Sequence, residues 1–335
     1  MAFQTGSSTS IENLLTQLST FLQANGWTED FFNTITADVG SIGFSKNSIF
    51  VSFQYTEATE LGNMAMYQAT AADQSPTTDP WTATGDSGNG VNSNTLTLIN
   101  SERCCNVFAG PHTAFWFFEN NANPAYCHVV VEVDAGRFRH FGFGEIDKIG
   151  DWSGGEYAYA LFWDQNNTRI DAPRSDFHAV GWDAQGFNQA FAGTMRVSGY
   201  PGEPDPLTEW ANFAGNTGAN VDSAGNPRWL GFGGWRGSRE FSAFHGFPIS
   251  LGSAYKPLVP CPIEIVDTTT SPDLVRRVGF QADVRMCNIT NIDPGQIINI
   301  AGDDWYFFPW IRKQFLINDT EESWNAGVAY RRENA

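Results

Sequence analysis

At 335 residues the chain is long enough to bury one large core or two modest ones. Its 27 Phe, 12 Trp and 9 Tyr beside 33 Gly and 16 Pro, with only 17% charged residues, favour many short strands joined by Gly/Pro turns. A formal charge of −18, with four lysines and no basic stripe around the Arg276-Arg277 and Arg331-Arg332 doublets, argues against nucleic acid as a partner, because a phosphate backbone would be repelled.

The N-terminal stretch MAFQTGSSTSIENLL has no Lys or Arg and no unbroken apolar run, so it reads as neither a signal peptide nor a membrane span, and synthesis and assembly in the cytoplasm without membrane insertion are expected. Ile11, Leu14, Leu15, Leu18, Phe21 and Leu22 recur at the spacing of one helix face and predict an amphipathic helix over 10–24. Thr9 and Glu12 have capping-box spacing, and Asn25-Gly26 supplies a left-handed stop. From residue 48 the period becomes two, and 48–55 reads as a strand. Residues 69–94 are dominated by small and polar types and read as a long surface loop.

The segments 128–134 and 137–143 flank Ala135-Gly136 as a hairpin. A two-residue turn places Val133 opposite Phe138 and Glu132 opposite Arg139, pairing apolar with apolar and acid with base. Residues 200–228 lack sustained periodicity and mark a place where two lobes could part. Strands return at 296–301 and 305–311, where Pro309 argues for an edge or a bulge. The expected organisation is a 1–30 segment carrying the helix and a 31–335 β-rich body: mainly β, an antiparallel sandwich or jelly-roll-like core with one N-terminal helix and long loops.

Motifs for chemistry are scarce. There is no phosphate-binding loop, and Gly231-Phe-Gly-Gly-Trp-Arg-Gly237 runs into aromatics, so its glycines read as tight turns between packed rings. His112, His128, His140, His178 and His245 show no metal-ligand spacing, although the hairpin makes His128 and His140 near neighbours. Cys104, Cys105, Cys127, Cys261 and Cys287 are odd in number and lack CxxC spacing, so reduced thiols are expected. Glu145, Asp147, Asp151, Glu156 and Asp164 cluster with Trp152, Tyr157, Tyr159 and Trp163, a composition that a glycosidase cleft also needs. Asp303-Asp304 is weaker, since neighbours on a strand point to opposite faces. Trp152, Trp182, Trp210 and Trp235 lie in Gly-rich contexts suited either to sugar stacking or to core packing. No catalytic residue, cofactor or metal is assigned, and a non-enzymatic role is expected.

Three regions carry a resemblance. They are Ala2-Phe-Gln-Thr-Gly6 with Asn25-Gly-Trp27, the central 128–133, 139–145 and 152–157 segments, and the ending with Trp305, Phe308-Pro309, Arg312-Lys313 and 325–331. Together they resemble a family of virion structural proteins of tailed phages and prophages, tail or baseplate associated. The resemblance implies a non-catalytic subunit present in several copies, with copies of itself and tail tube, baseplate or collar proteins as partners. Residues expected to hold the core or meet a neighbour are Ile11, Leu14, Leu15, Leu18, Trp27, Trp305, Phe308, Trp310 and Tyr330. A head decoration or collar protein, or a host-glycan-binding or depolymerising protein, are the alternative readings.

Overall fold

The computed structural model describes residues 1–57, 63–69, 104–105, 107–161, 191–196, 210–213, 228–232, 258–267, 274–309 and 326–332. The chain opens with β1 (Ala2–Ser8) and α1 (Ile11–Ala24), followed by a meander of β2 (Thr28–Thr36), β3 (Val39–Lys46), β4 (Ile49–Thr56) and β5 (Asn63–Ala69). The two-residue β6 (Cys104–Cys105) pairs with β5. Next come β7 (His112–Asn120), β8 (Tyr126–Asp134), β9 (Arg137–Glu145), β10 (Asp147–Lys148), β11 (Glu156–Leu161) and β12 (Phe191–Arg196). The remainder is β13 (Trp210–Phe213), β14 (Arg228–Phe232), β15 (Val259–Asp267), β16 (Leu274–Asn288), β17 (Gln296–Ile300), β18 (Asp303–Pro309) and β19 (Ala326–Arg332).

Among the described residues the fold is mainly β with one helix, and the ladders are antiparallel except for β13 against β14. β2 to β6 form one sheet; the other runs β1-β7-β8-β9-β11-β12-β13-β14-β15-β16-β19-β18-β17. This larger sheet turns back on itself, because rings on β1 and β7 meet rings on β18 and β19: Phe3 to Tyr306 at 4.8 Å, Trp116 to Phe308 at 4.8 Å, and Phe118 to Tyr330 at 5.2 Å. The result is sandwich-like. A central layer (β1, β7, β8, β9, β11) lies between the β2–β6 sheet with α1 on one side and an outer layer (β16, β19, β18, β17) on the other.

Alternation along the central strands explains why both faces are dry. Phe115, Phe117, Val129, Val131, Phe141 and Phe143 join the core of α1, β3 and β4. Trp116, Phe118, Val130 and His140 point the other way, toward the outer layer. The near-continuous burial of β8 and β9 is what a strand covered on both faces requires.

The helix has the expected face and stop. Gly26 adopts φ +80°, with Gly26 N donating to Gln23 O at 3.2 Å and Trp27 N to Leu22 O at 3.1 Å, a Schellman closure. Its start is one residue later than the Thr9/Glu12 box. Ser10 is extended and its hydroxyl accepts from Asn13 N at 3.1 Å, while Thr9 N donates to Asn13 Oδ1 at 3.2 Å. Glu12 N donates instead to Glu57 Oε1. The hairpin register also differs. The turn is at Ala135-Gly136, with Gly136 at φ +72°, but the ladder shifts at Val133, so Glu132 opposes Phe138 and Val131 opposes Arg139. A bulge adds one residue to one strand and moves every later pair by one. β18 lies between β17 and β19, and Pro309 is tolerated there as the strand's last residue.

The N-terminal segment is built into the body: β1 ladders onto β7 and α1 fills the first core. Within 200–228, β13 continues the large sheet through β12 and β14; the rest of that stretch and the 70–94 loop lie outside the described residues. Among the described residues no helix is long and apolar enough to cross a membrane.

Candidate functional site

A dense polar constellation lies between the central and outer layers. Register places Phe118, His128, Gly142 and Tyr159 in one row across β7, β8, β9 and β11, and His140 in the next row beside Val130. His128 and His140 therefore share a face, and both are fully enclosed. His128 Nε2 lies 3.1 Å from Ala282 O and its Nδ1 lies 3.1 Å from the Tyr159 hydroxyl. His140 repeats the arrangement, with Nε2 2.9 Å from Pro309 O and Nδ1 2.9 Å from the Tyr330 hydroxyl. A carbonyl only accepts, so each Nε2 carries the hydrogen and each Nδ1 accepts a tyrosine O–H. The two hydroxyl oxygens are 3.5 Å apart, with no hydrogen between them while each serves its own imidazole, so two His–Tyr pairs adjoin as one quartet.

Burial pushes both imidazoles down, His128 to about 4 and His140 to about 3, because the charged ring would lose its water. His112 has the same wiring near the end of β1: its Nε2 faces Val107 O at 2.7 Å and its Nδ1 the Ser8 hydroxyl at 2.6 Å, and burial lowers it too.

The polar seam continues to the surface. Tyr126, its ring tilted 4.7 Å from that of His128, donates its hydroxyl to Asp283. Asp283 holds φ +53°, a left-handed conformation that costs energy for a side chain with a Cβ, although Asp tolerates it better than most. Arg331 Nη1 reaches Asp283 Oδ1 at 3.0 Å, and Arg331 Nε lies 2.9 Å from Asp303 Oδ2. Burial first, and then Asp283, hold the Tyr126 phenol well above its ordinary range.

On the opposite face of the central layer Glu119 is fully buried. Its Oε1 accepts Trp27 Nε1 at 2.9 Å and Lys46 Nζ at 3.3 Å, and burial raises its pKa. This tie fastens the end of α1 to β3 and β7.

The expected carboxylate cluster does assemble in part. Glu145 and Glu156 oppose each other across β9 and β11. Each faces its own cation, Glu145 with Lys148 at 2.6 Å and Glu156 with Arg196 at 3.2 Å. Lys148 also donates to Trp152 O and Gly154 O, both at 3.1 Å, and lies 5.6 Å from the centre of the buried Trp152 ring. Asp164 and Trp163 lie outside the described residues. Asp303 and Asp304 diverge, to Arg331 and to Asn299 respectively. Among the described residues no group of three His, Cys, Asp or Glu side chains could hold a metal ion. Cys127 and Cys287 are buried free thiols.

The residues expected to hold the core or meet a neighbour do the former. Ile11, Leu14, Leu15, Leu18 and Trp27 fill the first core, Trp305 lies in a cluster with Phe307 and Ile289, and Phe308 and Tyr330 face the central layer. Their surface is already covered within the subunit; Trp310 lies outside the described residues. Sequence reasoning missed Glu119, whose signal was an acid in the alternation Phe115, Phe117, Glu119. It also missed the bond from Tyr126 to Asp283, which spans 157 positions and leaves no local signature.

No family model matches the chain, and no curated protein matches it.

Proposed function

We propose that the chain is a structural subunit of a tailed-phage virion, tail or baseplate associated, assembling in several copies. The observation that supports this most is a central layer buried on both faces, in which His128, His140 and Glu119 are engaged in bonds that tie layers together. Such cross-layer ties rigidify a body, the property an assembly part needs. The tail location rests on the resemblance that the N-terminal, central and C-terminal regions carry together. A collar or head decoration protein is the alternative position.

Because the apolar residues of α1, β18 and β19 are covered internally, contacts with neighbouring subunits are assigned to other surface. The strands flanking 162–190, 233–257 and 310–325 all end on the side of the Ala135-Gly136 turn. Those connections carry Trp163, Trp182, Trp235, Trp310 and Trp324. Tryptophan-rich sequence suits an interface, where large rings bury area at low entropy cost.

Cross-linking mass spectrometry on purified particles tests the reading. Cross-links from this end to copies of the chain or to other virion proteins are expected. A chain absent from washed particles would overturn it.

A further inference from the structure

We propose that His128, Tyr159, Tyr330 and His140 form an acid-sensitive lock that fastens the outer layer to the central layer. The lock joins six strands: the side chains come from β8, β9, β11 and β19, and the two accepting carbonyls, Ala282 O and Pro309 O, from β16 and β18. All four side chains are fully buried.

The direction of every bond is fixed by the neutral state. Each imidazole gives its one hydrogen to a carbonyl and takes a tyrosine hydrogen at Nδ1. A proton added at Nδ1 turns that atom from acceptor to donor, so the facing hydroxyl must reverse. The hydroxyls are 3.5 Å apart, and once one has turned along that line the other cannot use it, which makes the two protonations mutually opposed. The charges would also be placed in a water-free layer, where an ion is costly.

The titratable and charged groups around the quartet are Tyr126 from β8, Tyr157 from β11, Asp283 from β16, Tyr306 and Asp303 from β18 and Arg331 from β19, with Arg139 next to His140 on the other face of β9. Arg139 opposes a positive His140, while Asp283 favours a positive His128 but is already engaged by Tyr126 and Arg331. Acid therefore strains the contact between these two layers, while the core of α1, β3 and β4 lies on the other face of the central sheet.

Hydrogen exchange of the full chain, followed by mass spectrometry and corrected for intrinsic rates, tests the lock. As pH falls from 7 toward 4, peptides of β16, β18 and β19 should lose protection before those of α1, β3 and β4. Between pH 6 and 5 the opening constant of the wild type relative to the H128Q/H140Q variant should rise by about 60-fold, the product of two rings that protonate on opening. Simultaneous loss of protection in both cores, or a variant with wild-type pH dependence, would overturn the proposal. Should the variant not fold, imidazole 15N spectra of the wild type decide. Two neutral Nε2–H rings that persist until β16, β18 and β19 lose protection support the lock, and a ring that charges while protection is intact refutes it.

Discussion

Gly142→Ala tests the packing between the layers most sharply. A Cβ at Gly142 would lie 2.6 Å from Tyr159 Cε1, 2.7 Å from His128 Nδ1 and 2.9 Å from Cys127 O. Neither ring can step aside cheaply, because both are buried and bonded to each other, and the third contact is backbone. Overpacking of this kind costs about 1–3 kcal/mol. Parting His128 from Tyr159 adds about 1–3 kcal/mol for a buried group left unmet. The expected loss is about 4 kcal/mol, a large share of the roughly 5–15 kcal/mol that holds a typical protein together. Guanidinium unfolding at pH 7 measures it as a lower midpoint at unchanged slope. Gly136→Ala is the matched control: nothing lies within 4 Å of its Cβ position, so only the φ of +72° is strained, at about 1–2 kcal/mol. A Gly142→Ala protein within about 1 kcal/mol of wild type, or no worse than Gly136→Ala, would refute the reasoning.

Three further outcomes are expected. Trp27→Phe keeps an aromatic side chain, though a smaller one, but removes the Nε1 hydrogen that Glu119 accepts, and should cost at least about 1–3 kcal/mol in denaturant unfolding; an unchanged midpoint would mean that Lys46 suffices. Asp283→Ala loses the bonds to Tyr126 and Arg331 and leaves an Ala at φ +53°, so it should lower the melting temperature more than Asp283→Asn, which tolerates that backbone better; equal shifts would count against the left-handed argument. His112, pushed down by burial, takes up its proton more readily unfolded than folded. Its contribution is complete above the unfolded pKa near ~6.5 and is lost as pH falls from there toward the folded value. His112→Gln should remove up to about 1.4 kcal/mol per pH unit of the stability slope in that window, and an unaltered slope would contradict the assignment.

What could be read from sequence was local. The apolar spacing from Ile11 to Leu22 and the Asn25-Gly26 stop defined the helix, because both act within one turn or two. Its first residue was not resolved by type alone: Thr9 and Ser10 are both capping residues, and the extended backbone at Ser10 decided between them. The turn at Ala135-Gly136 was legible, but the bulge at Val133 was not, since a bulge has no fixed composition. The same hairpin made His128 and His140 near neighbours in advance, but it is the bulge that puts them on one face. Their partners were invisible, because Ala282, Pro309 and Tyr330 arrive only when the large sheet folds back over the central layer. That folding also turned expected assembly residues such as Phe308 and Tyr330 into interior ones.

The most direct test of the structural-subunit proposal is cryo-electron microscopy of intact particles of the tailed phage or prophage that, on this proposal, encodes the chain. The proposal predicts several symmetry-related copies at the tail or baseplate, touching neighbours through the end that holds the Ala135-Gly136 turn. Particles whose density is complete without this chain would contradict it.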